Sequence, residues 1–277
     1  MKLRELRTYG IRELKNVEEA SIKIKILLKY LLNVDTSFLV INQDKEIDPK
    51  TEEIFIKDLE KLKNGMPVQY ITNTQEFMKY KFFVDENVLI PQPDTEILVE
   101  EVVKLAKKSD SILDLCTGSG AIGISICAIT GANVTLSDIS EKALKIAKKN
   151  SINILEKNLR IVKSDMFENI NDKYDIIVSN PPYIDEKDME NLNLEVKHEP
   201  LIALYGGKDG LNYYKIIAKN AVKYLKENGI LALEIGYNQR NSVIELLKKE
   251  KNYKNIYCKK DISGNDRIII ATKDRGN

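Results

Sequence analysis

The chain reads as an α/β protein: a doubly wound, mostly parallel sheet ending in an antiparallel terminal hairpin, preceded by a small N-terminal helical domain. Three observations carry this. From residue 111 onward, short apolar runs alternate with amphipathic stretches of helical period. The first of those runs, SILDL (111–115), passes straight into a Gly-rich turn and then a helix. Residues 1–74, by contrast, show helical spacing throughout.

The bulk numbers allow this and exclude other classes. A chain of 277 residues can bury a sizeable core in one large or two modest domains. A hydrophobic content of 43% and a charged content of 31% are those of an ordinary globular protein. The formal net charge is only +1, which argues against unaided DNA or RNA binding, since general nucleic-acid binders carry a basic excess. No apolar run is long enough for a membrane span, and MKLRELRTYG lacks the apolar core of a signal peptide, so a cytoplasmic location is expected. Cys116, Cys127 and Cys258 form no C-x-x-C pair and fit a reducing compartment. His198 is the sole histidine, so no metal site is expected.

The elements follow in order. In EEASIKIKILLKYLLN, Ile22, Ile26, Leu28 and Leu32 recur at helical spacing. Asp48, Pro49 and Gly65 frame a second helix as N-cap, first-turn proline and C′ residue. The segment 1–74 is nearly neutral; it is either a packing domain or a docking surface for a partner. Residues 75–90 (QEFMKYKFFVDENVLI) cluster aromatic and β-branched side chains around the polar break Asp85-Glu86-Asn87, which predicts a β-hairpin linker. The third domain then runs from 91 to 277. Asp94 or Thr95 caps a helix whose apolar face is Ile97, Leu98, Val102 and Leu105. Strands are predicted at 111–115, 133–137, 160–163, 174–179 and 230–235, and helices at 121–130, 141–150 and 213–226. The end, NIYCKKDISGNDRIIIAT, reads as two strands around a Gly-containing turn.

Two segments carry chemistry. The first is DLCTGSGAIG (114–123). Gly118 and Gly120 let the backbone turn sharply and approach a ligand, and the next helix points its N-terminus at that ligand. Asp138, at the end of the following strand, can accept the ribose hydroxyls of an adenosine. A Gly-rich turn alone is also how plain strand–helix junctions are built; the strand before it, the helix after it and the distant acid favour a cofactor loop. D-x-x-T-G-S-G resembles the S-adenosylmethionine loop of class I methyltransferases rather than a nicotinamide loop, with Cys116 where the first glycine usually stands. By the same resemblance, Asp165 meets the adenine amino group, and Met166 and Phe167 lie near the ring. Otherwise Asp165 is a simple turn carboxylate.

The second segment is Asn180-Pro181-Pro182-Tyr183, placed just past the fourth strand. Two prolines hold main-chain carbonyls in set directions with no competing donor. The Asn180 side-chain oxygen and the Pro181 carbonyl can accept both hydrogens of a planar NH₂ group, and Tyr183 can pack against that group. Such a pair aims the nitrogen at a methyl donor and favours positive charge building on it. No strong base is needed. The combination points to methylation of exocyclic amines of adenine or guanine, or of glutamine amides.

Over nearly its full length the chain resembles the HemK/PrmC-type release factor glutamine N5-methyltransferases. The supporting stretches are GMPVQYITNTQEF (65–77), VLIPQPDTE (88–96), DLCTGSGAIGI (114–124), SNPPYI (179–184), HEPLIAL (198–204), GGKDGLNYYKII (206–217), LALEIGY (231–237) and DISGNDRI (261–268). The resemblance implies S-adenosyl-L-methionine as cofactor and S-adenosyl-L-homocysteine as product. It implies, as partner, a peptide chain release factor methylated on the glutamine of its Gly-Gly-Gln tripeptide. It also implies a substrate-docking role for 1–74, amide binding by Asn180, Pro181, Pro182 and Tyr183, with Asn180, Pro181 and Tyr183 catalytic, and cofactor binding by Cys116, Thr117, Gly118, Ser119, Gly120, Asp138, Asp165, Met166, Phe167 and Asn180. Pro91 is expected near the mouth of the site. Gln92 stands where the family often has Arg, and His198 where it often has an aromatic residue that walls the site; Asp209 is expected to cap the following helix. A monomer is expected. The rivals are a nucleic-acid amino methyltransferase, a ribosomal-protein glutamine methyltransferase, and a non-catalytic cofactor-binding scaffold. Near-zero charge speaks against the first and an intact Asn-Pro-Pro-Tyr against the last.

Overall fold

The computed structural model describes residues 1–274. They fall into two compact units, residues 1–74 with 193–198, and residues 75–192 with 199–274. Among the described residues no helix is long and apolar enough to cross a membrane.

The smaller unit contains the helices Leu3–Glu13, Ala20–Leu32, Thr36–Ile41, Pro49–Lys63 and Val68–Thr72. The fourth starts as its sequence dictates: the Thr51 main-chain N–H donates to the Asp48 carboxylate at 3.0 Å and Pro49 fills the first turn. Leu6, Ile24, Leu27, Leu28, Phe55 and Leu59 are fully buried in its core. The stripe on Ala20–Leu32 is therefore shifted from the predicted one. Ile22 is 46% exposed, while Lys23 turns inward to pair with Glu195 and donate to the Glu18 carbonyl at 2.8 Å. The segment 193–198 thus belongs with the helices, and His198, on its short 3-10 turn, is exposed with its ring nitrogen beside the Asn64 carbonyl.

The larger unit opens with the hairpin β1 (Gln75–Phe77) and β2 (Tyr80–Phe82). Its turn is Met78-Lys79, not the break at 85–87. Both residues take positive φ (49° and 69°), the geometry of a tight two-residue turn whose twist matches the strands. The polar break instead folds on itself, with the Asn87 N–H and amide both donating to Asp85. Phe77 and Phe82 meet edge-on and sink into the main core.

Seven further strands form one sheet: β3 (Ser111–Leu115), β4 (Asn133–Asp138), β5 (Arg160–Lys163), β6 (Tyr174–Ser179), β7 (Leu225–Glu234), β8 (Tyr253–Lys260) and β9 (Asp266–Lys273). Their order is β5-β4-β3-β6-β7-β9-β8. The first five run parallel, and β9 and β8 are antiparallel, which is the predicted terminal hairpin. Strand β7 begins earlier than its apolar run suggests, because Leu225 already pairs with Tyr174 across a register shift. The helices Ala121–Thr130 and Glu141–Leu155, and Asn212–Tyr224 and Arg240–Lys249, flank the sheet. Residues of β3, Ile112 and Leu113, feed two separate apolar clusters, as a sheet covered on both faces requires. This is the class I methyltransferase fold. Chain progression turns back between β3 and β6, so the crevice for a ligand is expected there, at the carboxyl ends.

Candidate functional site

A cavity of about 960 Å³, counted out to its open mouth, sits at those carboxyl ends. Its walls are the loop after β3, the ends of β4, β5 and β6, and the strip 87–95. Cys116, Thr117, Gly118, Ser119, Asp138, Asp165, Met166, Asn180 and Pro182 all line it, so two segments 60 residues apart in the chain meet as the sequence predicted. Pro91 and Gln92 line it too.

The loop is held from below. The Thr117 N–H donates to the Ser137 carbonyl, and the Gly118 and Ser140 N–H groups each donate to one oxygen of Asp138 at 2.9 Å. Burial pushes the Asp138 carboxyl above its ordinary range despite those two donors. Deeper, Asp114 accepts from the Thr117 hydroxyl at 2.5 Å and the Gly123 N–H at 2.9 Å. Its other oxygen is buried without a partner, and burial pushes its carboxyl up to about 7. Gly118, Gly120 and Gly123 stand at the G-x-G-x-x-G interval, so glycine spacing does not separate this loop from a nicotinamide loop. Their surroundings differ sharply. A Cβ on Gly118 would point into open space, whereas one on Gly123 would come within 2.5 Å of Leu136. Cys116 holds a left-handed backbone, φ 60°, where a glycine would sit without strain. Burial drives its thiol well above the ordinary range, so it is no nucleophile.

The Asn-Pro-Pro platform is braced from several sides. The Ser179 hydroxyl donates to the Leu115 carbonyl at 2.6 Å, tying the ends of β6 and β3 together. A Cβ on Gly206 would lie 2.7 Å from the Tyr183 Cα, and one on Gly210 2.5 Å from the Tyr183 carbonyl oxygen. The Gln239 amide donates to that carbonyl at 2.9 Å. The Gly-Gly-Lys-Asp-Gly stretch is therefore packing against the platform itself. Asp209 within it accepts from the Leu211 N–H and pairs with Lys215, steadying the start of the next helix.

Four predicted residues do not reach the cavity wall. Gly120 is the left-handed N-cap of the helix Ala121–Thr130. Phe167 stacks on Tyr224 with ring centroids 5.0 Å apart, so it faces the core and not an adenine. Pro181 is buried between two lining neighbours. Tyr183 packs its ring on the apolar cluster of β7 and the helix Asn212–Tyr224. The aromatic side chain on the wall is Tyr213.

Sequence reasoning missed three contributors. Asn150, fully buried, accepts from the Phe83 N–H at 2.7 Å and donates to the carbonyls of Phe83 and Ser119, coupling the hairpin to the loop. An asparagine inside an apolar helix face was the available signal. Thr95 is no cap: it is buried, and its hydroxyl oxygen accepts from the Asn180 amide at 3.3 Å. Asp94 pairs instead with Arg267 at 3.1 Å. Glu234, at the end of β7, is 2% exposed, and burial pushes its carboxyl up to about 7.

The donor set suits a sulfonium nucleoside. Among the described residues lining the cavity there are two carboxylates, Asp138 and Asp165, and no lysine, arginine or histidine. A positively charged cofactor meets no like charge there. Leu115, Ala121, Ile122, Ile139, Ala143 and Met166 give the apolar surface that a flat base needs.

Comparison with known proteins agrees with this chemistry. Residues 91–199 match the family described as methyltransferase small domain, and residues 5–72 match the PrmC N-terminal domain. A release factor glutamine methyltransferase from Clostridium acetobutylicum is 38% identical, with 99% of each chain aligned. One from Fusobacterium nucleatum is 42% identical over 88% of this chain and 70% of its own length. Among solved structures, a methyltransferase from Pyrococcus furiosus superposes with a TM-score of 0.56 over 79% of this chain and 99% of its own, at 18% identity. A ribosomal protein L11 methylase from Lactobacillus delbrueckii reaches 0.51 over 69% and 84%, at 16% identity. These two share the fold, and fold does not select a substrate.

Proposed function

The chain belongs to the release factor glutamine methyltransferase family, and from that premise we propose that it moves a methyl group from S-adenosylmethionine to the side-chain amide nitrogen (N5) of the glutamine in the Gly-Gly-Gln segment of bacterial peptide chain release factors. One observation carries the reading: Asn180 and Pro182 share a single cavity with the Gly118 loop, Asp138 and Asp165. A nucleophile-orienting platform and a nucleoside site in one crevice are the two halves of a methyl transfer.

When bound, S-adenosylmethionine supplies an electrophilic methyl on a sulfonium. Asp138 would accept its ribose hydroxyls, Asp165 its adenine amino group, and Met166 and Ile139 would cover the base. The amide nitrogen is a poor nucleophile, because its lone pair is delocalised into the carbonyl. Asn180 Oδ1 would accept one of its hydrogens and the main-chain carbonyl of Pro181, set between two lining residues, the other, which would fix the nitrogen and favour positive charge on it. Placement can supply about 7–11 kcal/mol at best, so a rigid platform is the main requirement. The bracing of Tyr183 by Gly206, Gly210 and Gln239 meets it. The helical residues 1–74, of which 5–72 match the PrmC N-terminal domain, are read as the docking part for the release factor.

The test is mass spectrometry of purified release factor incubated with enzyme and S-adenosylmethionine. A gain of one CH₂ unit on the Gly-Gly-Gln peptide is expected, and none on DNA, RNA or ribosomal protein. An unmodified peptide alongside a methylated nucleic acid would overturn the reading.

A further inference from the structure

Ser179 pairs with Leu233 across β6 and β7, so Asn180 and Glu234 follow side by side at the carboxyl ends of neighbouring strands. Glu234 ends the apolar run ILALE and is buried, with Oε2 lacking any partner at hydrogen-bonding distance. Its main chain is fixed, because the Tyr214 hydroxyl donates to its carbonyl at 2.9 Å. The Thr95 hydroxyl and the Asn180 amide neighbour its carboxyl, and each favours its ionised form. The Asn180 Nδ2 also lies 3.3 Å from the Thr95 Oγ1. The amino end of Asn180 thus points at Thr95 Oγ1, behind the platform and beside the strand end that carries Glu234, and its oxygen is left for the cavity.

We propose that Glu234, together with Thr95, is a positioning residue for methyl transfer: the buried acceptors behind the platform draw the amide hydrogens of Asn180 away from the cavity, so that only Oδ1 faces the substrate nitrogen. This rests on the reading of Asn180 as the acceptor of the glutamine amide. The two flipped orientations of an Asn amide have nearly the same shape, but only one can accept a hydrogen bond. The other sets NH₂ against NH₂ and turns the substrate away. A buried acceptor behind Asn180 chooses between them.

The charge state of Glu234 then matters. An ionised carboxyl only accepts, whereas a protonated one carries an O–H that competes for Asn180 Oδ1. The groups facing it are Arg267 on β9, whose charge favours ionisation, Asp94 on the helix Pro93–Leu105, whose charge opposes it, and the phenols of Tyr183 and of Tyr214 on Asn212–Tyr224. Burial pushes both phenols up, so they stay neutral. Burial also brings the Glu234 carboxyl up to about 7. The active, ionised form is therefore present above that pH and lost as pH falls through it.

The experiment compares the full-length enzyme with its E234Q, E234A and T95V variants on purified release factor, at saturating S-adenosylmethionine, from about pH 6 to pH 9. Cofactor affinity is measured in parallel by calorimetry. At pH 8, kcat of E234A should fall about a hundredfold, the cost of a misplaced reacting group, with cofactor affinity within about threefold of wild type. T95V should show a smaller loss of the same kind. E234Q should keep more of kcat, and the decline of wild-type kcat below about pH 7 should vanish in it, because its amide does not titrate. Asp114, also near 7, is untouched by the substitution, so the difference between the two profiles isolates Glu234. A merely structural role would lower activity without erasing that limb. An E234Q profile that keeps the wild-type limb, or an E234A kcat within threefold of wild type, overturns the proposal. Should E234A fail to bind cofactor, the E234Q profile decides alone. A wild-type enzyme inert on release factor sinks the acceptor role of Asn180 as well; an active one with unaltered Glu234 variants sinks only the positioning role.

Discussion

Replacing Asp138 by Asn separates the loop's grip on cofactor from the stability of the fold. Each carboxylate oxygen of Asp138 accepts one main-chain N–H at 2.9 Å, from Gly118 and from Ser140. An amide has one oxygen. Whichever way Asn sits, its NH₂ confronts one of those N–H donors, and one of the two bonds is lost. A hydrogen bond to a charged group contributes about 1.5–3 kcal/mol, so S-adenosylmethionine affinity should fall by about 10- to 150-fold, since the loop leaves its ligand-ready shape and the ribose loses a charged acceptor. Stability should respond differently. Burial raises the Asp138 carboxyl, so in the folded protein its charge is held against the environment. A raised carboxyl contributes stability at low pH that is lost as pH rises through its folded value, and a neutral amide removes that loss. At neutral pH the Tm of D138N should therefore stay within a few degrees of wild type. Titration calorimetry and a thermal melt decide it. A dissociation constant within threefold of wild type would remove Asp138 from the cofactor site, and a collapse of Tm would show that its role is structural.

Asn180→Ala should lower kcat by about 10²–10³, the usual loss for one preorganised hydrogen-bonding group, with cofactor affinity changed by less than about threefold; near-normal kcat would dismiss its role as acceptor. Asp114→Asn keeps both accepted bonds but carries no charge to bury. Because the Asp114 carboxyl is raised to about 7 from 3.8, the wild type should lose stability as pH rises between those values, and the Tm advantage of D114N should grow over the same window; a pH-independent difference would contradict this. Gly123→Ala would force a Cβ to within 2.5 Å of Leu136 and 2.9 Å of Asp114 and should cost about 1–3 kcal/mol of stability, read as a lowered denaturant midpoint. Gly118→Ala meets nothing within 4 Å and should cost only about 1–2 kcal/mol for its left-handed backbone, yet it should weaken cofactor binding, because its methyl occupies the cavity; equal behaviour of the two variants would refute the distinction.

What could be read in the sequence, and what could not, follows from how local each signal is. Strands β3, β5 and β6 and the helix Ala121–Thr130 match their predicted bounds, because a short apolar or β-branched run bounded by polar residues, glycine or proline is a local fact. The meeting of the Gly118 loop with Asn180 was legible through the strand-order rule, since both follow strands that flank the switch point. The hairpin turn was misplaced because Met78-Lys79 carries neither Gly nor Asn, and only the pairing of Phe77 with Tyr80 forces its positive φ angles. The stripe on Ala20–Leu32 was read one residue out of phase, because a buried Lys23 counts as polar until its partner Glu195, far along the chain, is known. Phe167 looked like an adenine contact from its place beside Asp165, but Tyr224 offers it a stacking partner that no local pattern announces. Glu234 lay in plain view as a lone acid ending an apolar strand, yet its use depends on Asn180 and Thr95, which are distant in sequence.

A methyl transfer from a sulfonium needs no strong acid or base, so selection on the site acts on geometry more than on reactive side chains. That shifts the functional content into the backbone and its supports. Gly206 and Gly210 carry no chemistry, but any side chain there would strike the main chain of Tyr183 or its neighbours. Gln239 reaches across to hold the Tyr183 carbonyl and accepts from the Gly236 N–H at 3.0 Å. Asn150 ties the loop to the hairpin through the Ser119 carbonyl. Each of these groups is out of reach of a substrate nitrogen, and each removes one way for the platform or the loop to drift. A misplacement of about 1 Å costs on the order of a hundredfold in rate, as much as deleting a hydrogen bond to the reacting group itself. The buried polar supports around Asn180 are therefore as much a part of catalysis as the asparagine they hold.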